Sequence, residues 1–323
     1  MLAALIALVG PAAALGLFTA IQASRIEARH PPAGRRVEVG GGAIHVLDQP
    51  AEGEERAAVL LIHGASGNAF DMFVALAGRL ASRGFRVLAG DRPGHGWSDR
   101  IGGSAAASPA LQADLLRQAA GKLGVVRAVV VAHSLGAITG LAMALDHPEF
   151  VRALVVVAPV SHPWPGGVAW YYRVGAHPLF GPPFRWLLTL PVGMAWMESA
   201  VTGVFAPNPA PADFIEATGL PLVLRPRHFR ANCEDVASAA AAVAALSPRY
   251  GQILAPTEVI TGHADGVVYA HIHSSGLARD IPGARLTTLS GVGHSPHHVA
   301  PDRVVETILE AERRAGASQP AEV

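Results

Sequence analysis

The sequence predicts an α/β fold: a mostly parallel, twisted sheet with helices on both faces, an antiparallel N-terminal hairpin and an inserted helical segment. Three observations predict it. Short β-branched runs alternate with helix-favouring stretches from Ala57 onward. One such run, Val129-Val130-Val131-Ala132-His133, leads straight into Ser134 and then into a helix-favouring stretch, Ala137 to Leu145. The alternation is interrupted once, after Ala158-Pro159, and resumes near Thr257.

The elements follow in order. Met1 to Gln22 is almost continuously apolar, and the first charged side chain is Arg25. About twenty such residues span a bilayer as a helix, so residues 1–24 are expected to form a membrane anchor. A cleaved secretory signal and a buried or interfacial helix are the competing readings. A cleaved signal normally carries basic residues before its apolar core, whereas here Arg25, Arg29, Arg35 and Arg36 follow it. That bias places the remainder of the chain on the cytoplasmic side. His30-Pro31-Pro32-Ala33-Gly34 reads as a linker, and Gly40-Gly41-Gly42 as the turn between strands near Val37–Val39 and Ile44–Leu47. Further strands are expected near Val59, Phe85, Val129 and Leu154, with helices between them.

The interruption, residues 161–249, is too long for a loop and too apolar to be disordered. It holds four of the five tryptophans, Trp164, Trp170, Trp186 and Trp196. Most of these aromatics are expected to hold the segment onto the core. Part of it, Trp186 to Trp196, is also a candidate to dip into the membrane beside the anchor. Residues 37–160 and 250–316 form the expected core.

Bulk composition excludes several classes. With 25 basic and 25 acidic residues in 323, the chain carries no electrostatic footprint for nucleic acid. A single cysteine, Cys233, rules out an intrachain disulfide framework.

Chemistry concentrates at Ser134. A strand that turns sharply into a helix holds a side chain at the carboxyl edge of a sheet, provided that the residues two before and two after it are small. Ala132 and Gly136 meet that demand. A serine hydroxyl needs a base, and the base needs an orienting group. Asp265 lies just past the strand-like run Thr257–Thr261, and His294 lies in the glycine-bearing loop after Ala284–Leu289. His297 competes with His294 but follows Pro296, where the last helix is expected to start. Asp280 reads as a turn former, and Asp235 as a residue at the start of an alanine-rich helix. His263 with Asp265, or His271 with His273, offers two metal ligands and no third at telling spacing, so neither a metal nor any other cofactor is expected.

From about Val37 to Arg314 the chain resembles the α/β-hydrolase superfamily. The resemblance rests on Ala132-His133-Ser134-Leu135-Gly136, on the order Ser, Asp, His, on Ile62-His63-Gly64-Ala65-Ser66-Gly67 after the third strand, and on Asp91-Arg92-Pro93-Gly94-His95-Gly96-Trp97-Ser98-Asp99. It implies a serine nucleophile with a Ser134–His294–Asp265 triad, an oxyanion hole from the amides of Ala65 and Leu135, and a helical cap at residues 161–249. Candidate pocket contacts are Gly64, Trp97, His133 and Trp164, with His63, His95 and His133 as orienting hydrogen-bond partners. The implied activity is hydrolysis of a small apolar carboxylic ester. C–C bond hydrolysis, acyl transfer, and a triad-bearing ligand-binding or accessory role are the alternatives.

Overall fold

The computed structural model describes residues 2–317. Eight strands form one sheet in the order β1-β2-β4-β3-β5-β6-β7-β8. β1 (Arg35–Val39) and β2 (Gly42–Gln49) pair antiparallel through Val39 and Gly42. The two-residue turn needs positive φ at both positions, and Gly40 and Gly41 supply 58° and 86°. β2 also runs antiparallel to β4 (Phe85–Gly90). From β4 onward, β3 (Ala57–Ile62), β5 (Ala128–His133), β6 (Val151–Val157), β7 (Thr257–Gly262) and β8 (Arg285–Leu289) are parallel.

Strand parity builds the two layers. Val59, Leu61, Val129, Val131 and Val155 face α2 (Ala69–Ala81) and α12 (Pro301–Ala317), which contribute Met72, Leu76, Leu80, Val304 and Ile308. Leu60, Ile62, Val130, Ala132 and Leu154 face the other way, onto α3 (Pro109–Lys122), α4 (Gly136–Asp146) and α10 (His273–Asp280). Burial on both faces explains why the central strands read as unbroken apolar runs.

The inserted segment is helical: α5 (Trp170–Ala176), α6 (Gly181–Phe184), α7 (Leu190–Phe205), α8 (Phe214–Ala217) and α9 (Pro226–Leu246). A π-helical turn, Arg185–Thr189, joins α6 to α7, so residues 181–205 form one helical run. α9 joins the inserted segment to the sheet. Its first half packs on α5, with Cys233 against Gly175, while Val236, Val243 and Leu246 enter the main core. Asp235 is therefore not at a helix start, as its acidic neighbour suggested, but buried in the middle of α9.

α1 (Leu2–Arg29) runs past the apolar segment to Arg29. Its C-terminal end packs on the inserted segment, Ile26 against Leu190, Leu222 and Leu224, and Glu27 pairs with Arg225 at 2.9 Å. The short α11 (Pro296–Val299) precedes α12.

Candidate active site

Ser134 follows the last residue of β5, with φ of 52°. Such a conformation costs a non-glycine residue about 1–3 kcal/mol and persists only where the surroundings enforce it. Here the Ser134 amide donates to the Val157 carbonyl (2.9 Å), and the Ser134 carbonyl accepts from Val160 (3.0 Å) and Ala137 (3.0 Å). The tight turn also explains its small neighbours. A Cβ on Gly136 would lie 2.3 Å from the His63 carbonyl oxygen, and one on Gly64 would lie 3.1 Å from Ser134 Cβ. Ala132, two residues before the serine, abuts Gly140 of α4.

His294 stands in the loop after β8, and Asp265 in the turn after β7. Asp265 Oδ1 accepts the amides of Val267 (2.8 Å) and Val268 (3.0 Å), which fixes the carboxylate. Its Oδ2 lies 2.8 Å from His294 Nδ1, and His294 Nε2 lies 2.9 Å from Ser134 Oγ. A carboxylate can only accept, so the proton sits on Nδ1 and the Nε2 lone pair faces the serine hydroxyl. The structure thus brings together the three side chains singled out from sequence, all shielded from bulk solvent.

Ala65 lines the cavity over Ser134, and Leu135 follows Ser134 in the chain. Leu135 precedes α4 at a helix N-terminus, where amides lack intrahelical partners. The next amide along, Ser66, is engaged by Asn232 Oδ1 at 2.7 Å. The loop carrying Gly64 and Ala65 is held from below by Arg92, whose guanidinium donates to the carbonyls of His63 (3.2 Å) and Gly64 (3.0 Å) and pairs with Asp235 (2.5 Å). Arg100 and Gln112 also bond to Asp235, at 2.8 and 3.0 Å. His63 accepts from the Arg92 amide through Nε2 (3.0 Å); burial, then the Arg92 charge, push its pKa down to about 4, so it stays neutral.

His133 Nε2 donates to the His294 carbonyl at 3.1 Å, so the residue before the serine steadies the histidine loop. Its other nitrogen, Nδ1, is buried without a hydrogen-bond partner, 3.8 Å from Asp71 Oδ2. Burial followed by the neighbouring His297 and His294 holds the His133 pKa well below the ordinary value. Asp71 accepts from His298 (3.0 Å) and His297 (3.4 Å); burial raises its pKa, but the two histidines outweigh it and hold the carboxyl well below the usual range. Asp71, His133 and His297 offer ligand atoms within 4.8 Å of one another, the one such group among the described residues that could hold a metal ion. This cluster was invisible in the sequence, because Asp71 lies 226 residues from His297.

A cavity of about 410 Å³ opens over Ser134. Ala65, His133 and His294 line its floor, and Tyr171, Tyr172, Met197, Val201 and Leu224 its walls. Gly64 lies beneath that floor against Ser134. Trp97 and Trp164 stand outside the lining. Trp97 is drawn beneath the end of α1, donating to the His30 carbonyl (3.1 Å) under the Arg225 guanidinium (4.8 Å). Trp164 meets His273 edge-on and donates to the Gly167 carbonyl at 3.1 Å. One functional contact had no sequence signal at all. Asn208, from the segment after α7, accepts from the Gly293 amide and donates to the Gly291 carbonyl, each at 2.9 Å, and so clamps the loop that carries His294.

A family model described as the alpha/beta hydrolase fold matches residues 57–214. The magnesium-chelatase 30 kDa subunit of Rhodobacter capsulatus is 30 % identical over 275 residues, covering 81 % of this chain and 87 % of that protein. The 2-hydroxy-6-oxo-6-phenylhexa-2,4-dienoate hydrolase of Comamonas testosteroni is 25 % identical over 256 residues, covering 76 % and 83 %. Among solved structures, an epoxide hydrolase from Vigna radiata superposes with a TM-score of 0.68 at 22 % identity, over 87 % of this chain and 97 % of that one, a likeness of fold.

Proposed function

This chain belongs to the α/β-hydrolase superfamily, and on that premise we propose that it is a serine hydrolase cleaving an apolar carboxylic ester. The observation that carries the proposal is the continuous relay from Asp265 through His294 to Ser134, with spacings of 2.8 and 2.9 Å. In this reading Ser134 Oγ attacks the ester carbonyl while His294 Nε2 takes its proton. Asp265 steadies the imidazolium that forms. The amides of Ala65 and Leu135 stabilise the oxyanion of the tetrahedral intermediate. His294 returns the proton to the departing alcohol, then activates a water that releases the acyl group and regenerates the serine. A serine at the elbow argues against the carboxylate-nucleophile chemistry of epoxide hydrolases. Apolar walls around the floor of the cavity support an apolar acyl group or alcohol. The apolar N-terminal helix supports attachment to a membrane, with Arg25, Arg29, Arg35 and Arg36 keeping the hydrolase domain on the cytoplasmic side.

The Rhodobacter capsulatus relative favours a second reading, an accessory subunit that keeps the same residues but turns over little. Fluorophosphonate labelling with peptide mapping, run beside timed hydrolysis of p-nitrophenyl esters, separates the two. A hydrolase is labelled at Ser134 and turns over many times; Ser134→Ala then lowers the rate by at least about 10³-fold. Labelling without turnover moves the reading to the accessory role. A serine that stays unlabelled defeats both.

A further inference from the structure

α7 lines the cavity with one stripe of side chains and leaves other apolar side chains exposed beside it. Met197, Val201 and Val204 turn into the cavity over Ser134. Val192 and Met194, which flank this stripe on its two sides, are 42 % and 48 % exposed. Trp196 does both: it lines the cavity and is 70 % exposed, so it stands at the mouth. The helical run that contains α7, residues 181–205, is by length and composition apolar enough to cross a membrane, yet little of it is buried in the protein. Trp170, Phe180 and Trp186, earlier in the inserted segment, are exposed as well. Exposed tryptophans, phenylalanines and aliphatic side chains concentrated in one segment mark an interaction surface where they adjoin.

What covers this surface is indicated by α1. Its C-terminal end is pinned beside α7 and the preceding turn by Ile26, by the Glu27–Arg225 ion pair and by Arg29 on Glu216 (2.7 Å). Toward the N-terminus the helix leaves the domain, and Leu15, Leu17, Phe18 and Ile21 are exposed. Its 28 residues extend about 42 Å, and no charged side chain occurs before Arg25. A helix of that composition belongs in hydrocarbon. Because α1 is fixed against the α7 face, whatever holds α1 also meets that face.

We infer that the exposed apolar side chains of Trp186–Trp196 rest in the lipid bilayer beside α1, and that the Ser134 cavity takes its substrate from the lipid phase. The substrate class is then an amphiphilic ester or acyl compound dissolved in the membrane, entering past Trp196. This substrate class rests on the hydrolase reading; the position of the face does not. Tryptophans at the interface, with their amphipathic rings at headgroup depth, suit this placement.

The full chain, reconstituted in phosphatidylcholine–phosphatidylglycerol vesicles, tests both parts. Lipids brominated on the acyl chains quench nearby tryptophans, and α1 contains none, so in a Trp97→Phe background quenching reports on the inserted segment alone. Quenching is expected; its absence overturns the inference whether or not the chain is an enzyme. The double variant Val192→Asp/Met194→Asp then separates delivery from chemistry. Hydrolysis of water-soluble p-nitrophenyl acetate should stay within about twofold, while hydrolysis of vesicle-embedded p-nitrophenyl palmitate should fall at least about tenfold. An equal fall in both, or in neither, overturns lipid-phase delivery. If the substitutions convert a detergent-solubilised dimer into a monomer and leave vesicle turnover intact, the face binds a second copy instead. Wild-type protein that is quenched but hydrolyses neither ester defeats the hydrolase reading and leaves the membrane face standing.

Discussion

Replacing Arg92 with methionine removes a buried side chain that, with Asn232, ties the loop of Gly64 and Ala65 to α9. Its guanidinium is 1 % exposed and spans Asp235 of α9, Gln112 of α3 and the carbonyls of His63 and Gly64. Breaking a buried pair by deleting one partner costs about 3–5 kcal/mol, because the other charge stays buried. Asp235 retains Arg100 at 2.8 Å and Gln112 at 3.0 Å, which moves that part of the cost to the lower end. The two carbonyls lose donors, at about 1 kcal/mol each. The expected total is about 5 kcal/mol, a fall of more than about 1 M in the urea midpoint. Arg92 touches no substrate; it is a positioning residue. Loosening Gly64 misdirects the Ala65 amide, so kcat for a p-nitrophenyl ester should drop about 10–100-fold with KM little changed. Arg92→Lys restores the charge but not the fork that reaches both carbonyls, and should recover stability more than kcat. A methionine variant within about 1 kcal/mol of wild type, with unchanged kcat, would refute the reasoning.

Two further outcomes follow from the same geometry. Gly136→Ala places a Cβ 2.3 Å from the His63 carbonyl and 2.9 Å from that of Ile62, backbone atoms that cannot move cheaply. Ester turnover should fall more than about 100-fold and the unfolding midpoint should drop; a variant active at wild-type rate sinks the tight-elbow argument. The pH profile of stability is set by buried histidines. His63 is depressed to about 4 by burial and then Arg92, and His273 to about 4 by burial and then His162. Both are neutral when folded and take up a proton at about 6.5 when unfolded. Their stabilisation is therefore complete above pH 6.5 and is lost as pH falls from there toward 4. Urea titrations at pH 7.5 and 5 should differ by roughly 3–4 kcal/mol, with the protein weaker in acid. Equal stability at the two values would show that these rings protonate in place.

The loop that carries His294 is stabilised from two sides of the chain. Asn208 holds it through Gly291 and Gly293, and the His133 ring holds the His294 carbonyl. The inserted helices are therefore more than a cover: they help to set the position of the proposed base, so changes in α7 that shift Asn208 would reach the chemistry indirectly.

Sequence alone determined the features that a few neighbouring residues decide. The Gly40-Gly41 turn, the strand–serine–helix elbow and the alternating layers are local, because φ preferences, steric limits at Ala132 and Gly136, and side-chain parity act over one to several residues. Ser134, Asp265 and His294 were legible for that reason, each marked by its own strand end. Tertiary structure alone decided contacts made across long stretches of chain. Asp235 looked like a residue placed to suit a helix terminus, yet it is the buried partner of Arg92, 143 residues away. Trp97 looked free to enter the pocket, but the end of α1 takes it. Asn208 and the Asp71–His297 pair carry no local pattern, because a hydrogen bond between distant segments leaves no periodicity in either. The same holds for α7: the composition shows an apolar helix, and only its packing shows which side chains line the cavity and which stay exposed.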